Sequence, residues 1–124
     1  MNMAAHLLVA DDSTVIRKVM RRICEDLSLT VSEAEDGEAA LQICRKDMPD
    51  AILVDSHMPG MDGLEFVRAL RDMEGGKEPK VVLCMTEYNI ASVARAKRAG
   101  ADDHMLKPFD RDAIEAKLQE IGLL

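Results

Sequence analysis

Tryptophan is absent from this 124-residue chain, and one tyrosine and two phenylalanines are its only aromatics. It also lacks an excess of basic residues: 16 Lys+Arg stand against 23 Asp+Glu, a formal net charge of −7. An acidic chain without stacking side chains is poorly suited to nucleic acid, so no nucleic-acid partner is expected. No run approaches the ~20 apolar residues of a membrane span, so no membrane insertion is expected. The N-terminal apolar stretch Met3–Ala10 has His6 inside it, no basic residue before it and two aspartates after it. That excludes a good signal peptide. Three cysteines, an odd number without short metal-type spacing, fit reduced thiols and a cytoplasmic location better than a disulfide framework. Cys24, Cys44 and Cys84 lie in or beside apolar runs and are expected to pack as small hydrophobes.

What is present is an alternation of two patterns. Short apolar runs occupy His6–Ala10, Ala51–Val54 and Lys80–Met85, with weaker ones at Leu29–Ala34 and Asp102–Leu106. The strong runs are too short for helices and lack polar alternation, which suits strands buried on both faces. Between them lie amphipathic stretches at helical spacing. The first follows Ser13, the second follows Asp36-Gly37 and stops before Pro49, and the third runs from Gly63 until Gly75-Gly76. A fourth spans Asn89 to Gly100 and a fifth Asp110 to Gly122. The pattern predicts an α/β fold of (βα)₅ type, a doubly wound five-stranded parallel sheet with helices on both faces. Residues 1–124 are expected to form a single domain with no effector domain, so output is expected to act through a protein surface.

In open α/β sheets, sites form beyond the carboxyl ends of the strands. There the sequence places Asp11 and Asp12 after the first strand, Asp55 after the third, Thr86 after the fourth, and Lys107-Pro108 after the fifth. Taken singly, each has an ordinary explanation as a cap or a turn. Together they bring three carboxylates, a hydroxyl and an ammonium to one edge. Crowded carboxylates repel, and a hard cation such as Mg²⁺ relieves this through oxygen ligands. A carboxylate is also a competent nucleophile for phosphoryl transfer, with the metal, Lys107 and Thr86 suited to stabilise the phosphoryl oxygens.

The stretch Val54–Gly63, VDSHMPGMDG, resembles the Asp-x-x-Met-Pro-x-Met-Asp-Gly loop of response-regulator receiver domains. VADDS at Val9–Ser13, Thr86 and LKPF at Leu106–Phe109 complete that family's ordered set over essentially the whole chain. The resemblance implies a flavodoxin/CheY-like sheet of order 2-1-3-4-5. It implies Asp55 as phosphoacceptor, and Asp12 and Asp55 as direct Mg²⁺ ligands. Asp11 is implied to act through water, and His57 to ligate through its backbone carbonyl. Thr86 and Lys107 are implied as the phosphoryl-binding pair, with a cis Lys107–Pro108 bond. It further implies a non-enzyme: a two-component protein that takes phosphate from a histidine kinase or phosphotransfer domain, catalysing only its own phosphotransfer and dephosphorylation. The first-helix face is implied to meet that donor. The face of the fourth helix, fifth strand and fifth helix is implied to meet a downstream target, a flagellar motor or kinase, most simply in chemotaxis. A phosphate sink or phosphorelay intermediate without its own target is the alternative.

Three positions depart from the family pattern. His104 stands where Tyr or Phe is usual, and either makes the switch pH-sensitive or fills the place as a flat side chain. Glu87 follows Thr86 where Ala or Gly is usual, and either repels donors and water or faces solvent. His57 either influences the attacking water or offers only its backbone. Tyr88 is a candidate for the output face. Arg17, Lys18, Arg21 and Arg22 on the first helix, and Arg95, Lys97 and Arg98 on the fourth, are expected to be solvated basic faces. A dehalogenase-like phosphatase is disfavoured because Asp11-Asp12-Ser13-Thr14 has the wrong Asp-x-Asp-x-Thr spacing. A flavodoxin-like nucleotide module is disfavoured because no Gly-rich loop follows the first strand.

Overall fold

The computed structural model describes residues 4–124; Met3, the first residue of the apolar N-terminal stretch, lies outside them. Strands β1 (His6–Ala10), β2 (Thr30–Ala34), β3 (Ala51–Asp55), β4 (Lys80–Met85) and β5 (Asp103–Leu106) alternate with five helices. These are α1 (Thr14–Asp26), α2 (Gly37–Lys46), α3 (Gly63–Asp72), α4 (Ile90–Ala99) and α5 (Arg111–Glu120). All strand pairs are parallel, in the order β2-β1-β3-β4-β5. No helix among the described residues is long and apolar enough to cross a membrane.

The unalternating strands are explained by what covers them. Leu8, Ile52, Val54, Val81 and Leu83 face a layer containing Phe66, Val67 and Leu70 of α3 and Ala40 and Leu41 of α2. Leu7, Val9, Leu53, Val82 and Cys84 face Met20 and Cys24 of α1 and Ile114 and Leu118 of α5. Neighbours along a strand thus point into different cores, and both need to be apolar. All three cysteines are buried and free. Burial pushes Cys24 and Cys44 up to about 11 and Cys84 up to about 12, so none is a ready thiolate.

The helix starts coincide with side-chain caps. Ser13, Asp36, Asp62, Asn89 and Asp110 each accept a backbone N–H of the first turn. Asp62 and Glu65 close a capping box. Three strand bounds differ from expectation. Leu29 precedes β2, Asp55 is still part of β3, and Asp102 precedes β5. Asp102 is used otherwise: its carboxylate accepts the Val81 N–H at 2.8 Å and Arg71 at 3.0 Å. Arg71 also donates to the carbonyls of Gly100, Gly76 and Pro79 at 2.8–3.0 Å, tying the ends of α3 and α4 together below the sheet. Gly100, at φ 115°, leaves room for this, since a Cβ there would meet Arg71 Cγ at 2.8 Å.

The α1 basic residues are a solvated face only in part: Arg22 is exposed, whereas the other three are paired. Arg17, Lys18 and Arg21 converge on Glu33 of β2 at 3.2, 2.9 and 2.9 Å. Glu33 is only 11% exposed, and burial alone would disfavour its charge. The three cations outweigh that and hold its carboxyl down at about 2. Its depressed value means that the stabilisation is whole above the ordinary 4.5 and fades as pH falls toward 2. Glu33→Gln is expected to cost about 1–3 kcal/mol at pH 7, allowing for the exposed partners Lys18 and Arg21. Urea denaturation at pH 7 and pH 2.5 checks this, the gap between variant and wild type narrowing at the lower pH. In the core, Phe66 is fully buried, and Phe66→Ala is expected to cost about 3–5 kcal/mol in the same measurement.

Candidate functional site

The strand register assembles the site. Ala10 pairs with Val54, so Asp11 follows at the level of Asp55, which itself pairs with Cys84. Met85 pairs with Leu106, so Thr86 and Lys107 emerge side by side slightly further along. The backbone N–H of Asp11 donates to Ala34 O at 3.0 Å and holds the turn against β2. Ser13, not either aspartate, caps α1, which leaves both carboxylates for other work. Gly63 lets α3 begin against β3, since a Cβ there would lie 2.5 Å from the Asp55 carbonyl oxygen.

One carboxylate oxygen from each of Asp11, Asp12 and Asp55 lies within 4.8 Å of the others. Asp11 and Asp55 are buried and Asp12 is exposed. Lys107 Nζ sits 2.8 Å from Asp11 Oδ2 and 3.2 Å from Asp55 Oδ1. The other Asp11 oxygen accepts the Ser13 N–H at 2.8 Å. Burial raises the Asp55 carboxyl above its ordinary value; Lys107 and a His57 backbone hydrogen bond oppose this, and the Asp11 charge adds to it. Burial pulls the Lys107 ammonium down, but Asp11 and Asp55 more than compensate and hold it above its ordinary value. One ammonium against three carboxylates leaves an excess of negative charge that a hard, oxygen-seeking divalent cation would cancel. The donor set therefore fits Mg²⁺.

The remaining predicted residues surround this core. Thr86, Glu87 and His57 are exposed. They line a cleft of about 380 Å³ beside the site, together with Ser56, Asn89 and Arg95. Thr86 is not the cap of α4; Asn89 is. The Lys107–Pro108 bond is cis. His104 is partly buried on β5 and its ring lies 5.6 Å from that of Tyr88, which is exposed. Arg17 was not among the predicted site residues, yet its Nη1 donates to the Asp11 carbonyl at 2.7 Å. Nothing in its position on α1 separates it from the neighbouring basic residues in sequence.

A family model described as response regulator receiver domain matches residues 7–119. The chain belongs to that family. Over 116 residues it is 30% identical to chemotaxis protein CheY of Pseudomonas aeruginosa, covering 93% of this chain and 94% of that one. Over 119 residues it is 33% identical to response regulator MprA of Mycobacterium ulcerans, covering 96% of this chain and 50% of that one. It thus spans about half the length of its MprA relatives. Among solved structures, Vibrio cholerae chemotaxis protein CheY4 superposes with a TM-score of 0.93 at 32% identity, covering 96% of this chain and 99% of that one. Receiver domains are phosphoaccepting signalling proteins of two-component systems, not classical enzymes. They bind Mg²⁺ at an acidic pocket and interact with histidine kinases and downstream targets.

The raised Asp55 carboxyl carries a sign. A carboxyl raised by folding favours the fold when protonated, and that contribution is lost as pH rises through its folded value. Without divalent cations, Asp55→Asn is therefore expected to raise the melting midpoint at pH 7, with the gain shrinking below pH 4. Thermal denaturation in EDTA at the two pH values checks it, and an equal gain at both would contradict the electrostatic cause.

Proposed function

We propose that this receiver domain accepts a phosphoryl group on Asp55 from a phosphohistidine of a histidine kinase or phosphotransfer domain, and thereby changes its affinity for a protein partner. The observation that carries this reading is the Lys107 ammonium held between the buried Asp11 and Asp55 in a three-carboxylate cluster. In the transfer, an Asp55 carboxylate oxygen attacks phosphorus in line, the P–O bond forms, the P–N bond breaks, and the imidazole leaves with its electron pair. The nucleophile is the Asp55 carboxylate, and the Lys107 ammonium 3.2 Å away favours that charged form against burial. Lys107 offsets charge on the phosphoryl oxygens, and Thr86, emerging beside it, offers a hydroxyl to them. Asp12 and Asp55, with Asp11 through water and the His57 carbonyl, are the residues that would hold Mg²⁺. When bound, that ion supplies charge neutralisation at the phosphoryl oxygens.

Phosphorylation acts as a switch if it favours one of two conformations. A shift from 1:99 to 99:1 needs about 5.5 kcal/mol of differential stabilisation. The segment that follows Thr86 is exposed, and Tyr88 within it meets His104 of β5, on the α4–β5–α5 face, with ring centroids 5.6 Å apart. That face is the one assigned to the target. A cytoplasmic chemotaxis role, with a flagellar motor or kinase as target, is supported by the near full-length likeness to chemotaxis receivers.

Acetyl phosphate with Mg²⁺ is expected to add ~80 Da to the wild type and nothing to Asp55→Asn, read by intact mass. Chelation of the metal is expected to abolish the label. Label that persists on Asp55→Asn would sink the assignment.

A further inference from the structure

The peptide unit between Asp11 and Asp12 is held from outside the site. Its carbonyl oxygen, that of Asp11, accepts Arg17 Nη1 at 2.7 Å. The same guanidinium donates Nε to Glu33 Oε1 at 3.2 Å and Nη2 to Thr14 Oγ1 at 3.3 Å. Arg17 is only 12% exposed, and Glu33 is in turn gripped by Lys18 and Arg21. A planar fork anchored at its far side has little freedom to swing, unlike a lysine at the same place.

A peptide unit is rigid, so fixing its carbonyl fixes the plane that joins the two α-carbons. Asp11 is already held through its N–H by Ala34, and through its carboxylate by Ser13 and Lys107. Asp12 has an exposed side chain, and its direction depends on that plane. We infer that Arg17, braced by Glu33, is a positioning residue for the divalent-cation site: it sets the angle between the Asp11 and Asp12 carboxylates and thereby the affinity for Mg²⁺. The inference rests on the reading of Asp11, Asp12 and Asp55 as the Mg²⁺ site.

Geometry and charge predict opposite signs. If Arg17 acted only as a nearby cation, Arg17→Ala would tighten Mg²⁺ binding and Arg17→Lys would leave it unchanged. If it positions the carboxylates, both variants weaken binding, about tenfold each, as is common for residues that orient metal ligands. Lys18→Ala removes an ion pair to Glu33 without touching the Asp11 peptide, and is expected to leave Mg²⁺ affinity within about twofold.

The measurement is calorimetric titration of the intact chain with MgCl₂ at pH 7 and fixed ionic strength, with melting in EDTA recorded for each variant. Weakened binding in both Arg17 variants but not in Lys18→Ala supports the inference. A lower midpoint in EDTA with an unchanged Kd for Mg²⁺ would make Arg17 a structural residue and overturn it, as would tighter binding in Arg17→Ala. If Arg17→Ala does not fold, the charge-conserving Arg17→Lys decides the matter alone. Absence of Mg²⁺ binding by the wild type would instead refute the site reading, and this inference with it.

Discussion

A single ammonium makes the carboxyl edge of this sheet possible. Asp11 and Asp55 are buried at the same level of neighbouring strands, where two like charges would repel strongly. Lys107 reaches both of them from a different strand. It therefore joins the two halves of the site as well as neutralising part of its charge. Buried ion pairs repay their desolvation only where their remaining hydrogen-bonding capacity is used. Asp11 meets that condition, with one oxygen on Lys107 and the other on the Ser13 N–H. Asp55 meets it less fully, with its Lys107 contact at the longer 3.2 Å, and burial raises its carboxyl. The group proposed to react is thus the less satisfied of the two.

Most of the fold was legible because a doubly covered parallel sheet writes itself plainly. Runs such as Ile52–Val54 and Val81–Met85 must be apolar at every position when each face meets a helix layer. Helix starts were legible for a local reason, since Ser13, Asp36, Asn89 and Asp110 cap through bonds within three residues. The family resemblance supplied the strand order, which periodicity does not encode. Two of the three misplaced strand bounds have a shared origin. Asp55 and Asp102 are polar residues whose roles depend on partners distant in sequence, Lys107 for one and Arg71 for the other.

The same limit explains what was missed at the site. Arg17, Lys18, Arg21 and Arg22 are alike in sequence, spaced as any exposed helix face would be. Only the packing of α1 beside β2 brings three of them to Glu33 and turns one of those three toward Asp11. His104 illustrates the converse. Its unusual identity was visible, whereas its approach to Tyr88 depends on where the segment after β4 lies relative to β5.

The Arg71 cluster gives α4 two unequal ends. Its buried residues, Ala96 and Ala99, both lie near the C-terminal end, where Arg71 grips the Gly100 carbonyl twice. At the other end Ile90 is 83% exposed, and the connection back to Thr86 is exposed throughout. A rod fastened at one end is a lever. With ten residues at 1.5 Å each, its arm is about 15 Å, so a turn of about 10° at Gly100 carries Ile90 through about 2.5 Å. The long end of that lever is the end attached to Thr86 at the carboxyl edge, and its fulcrum lies at the amino edge of the sheet.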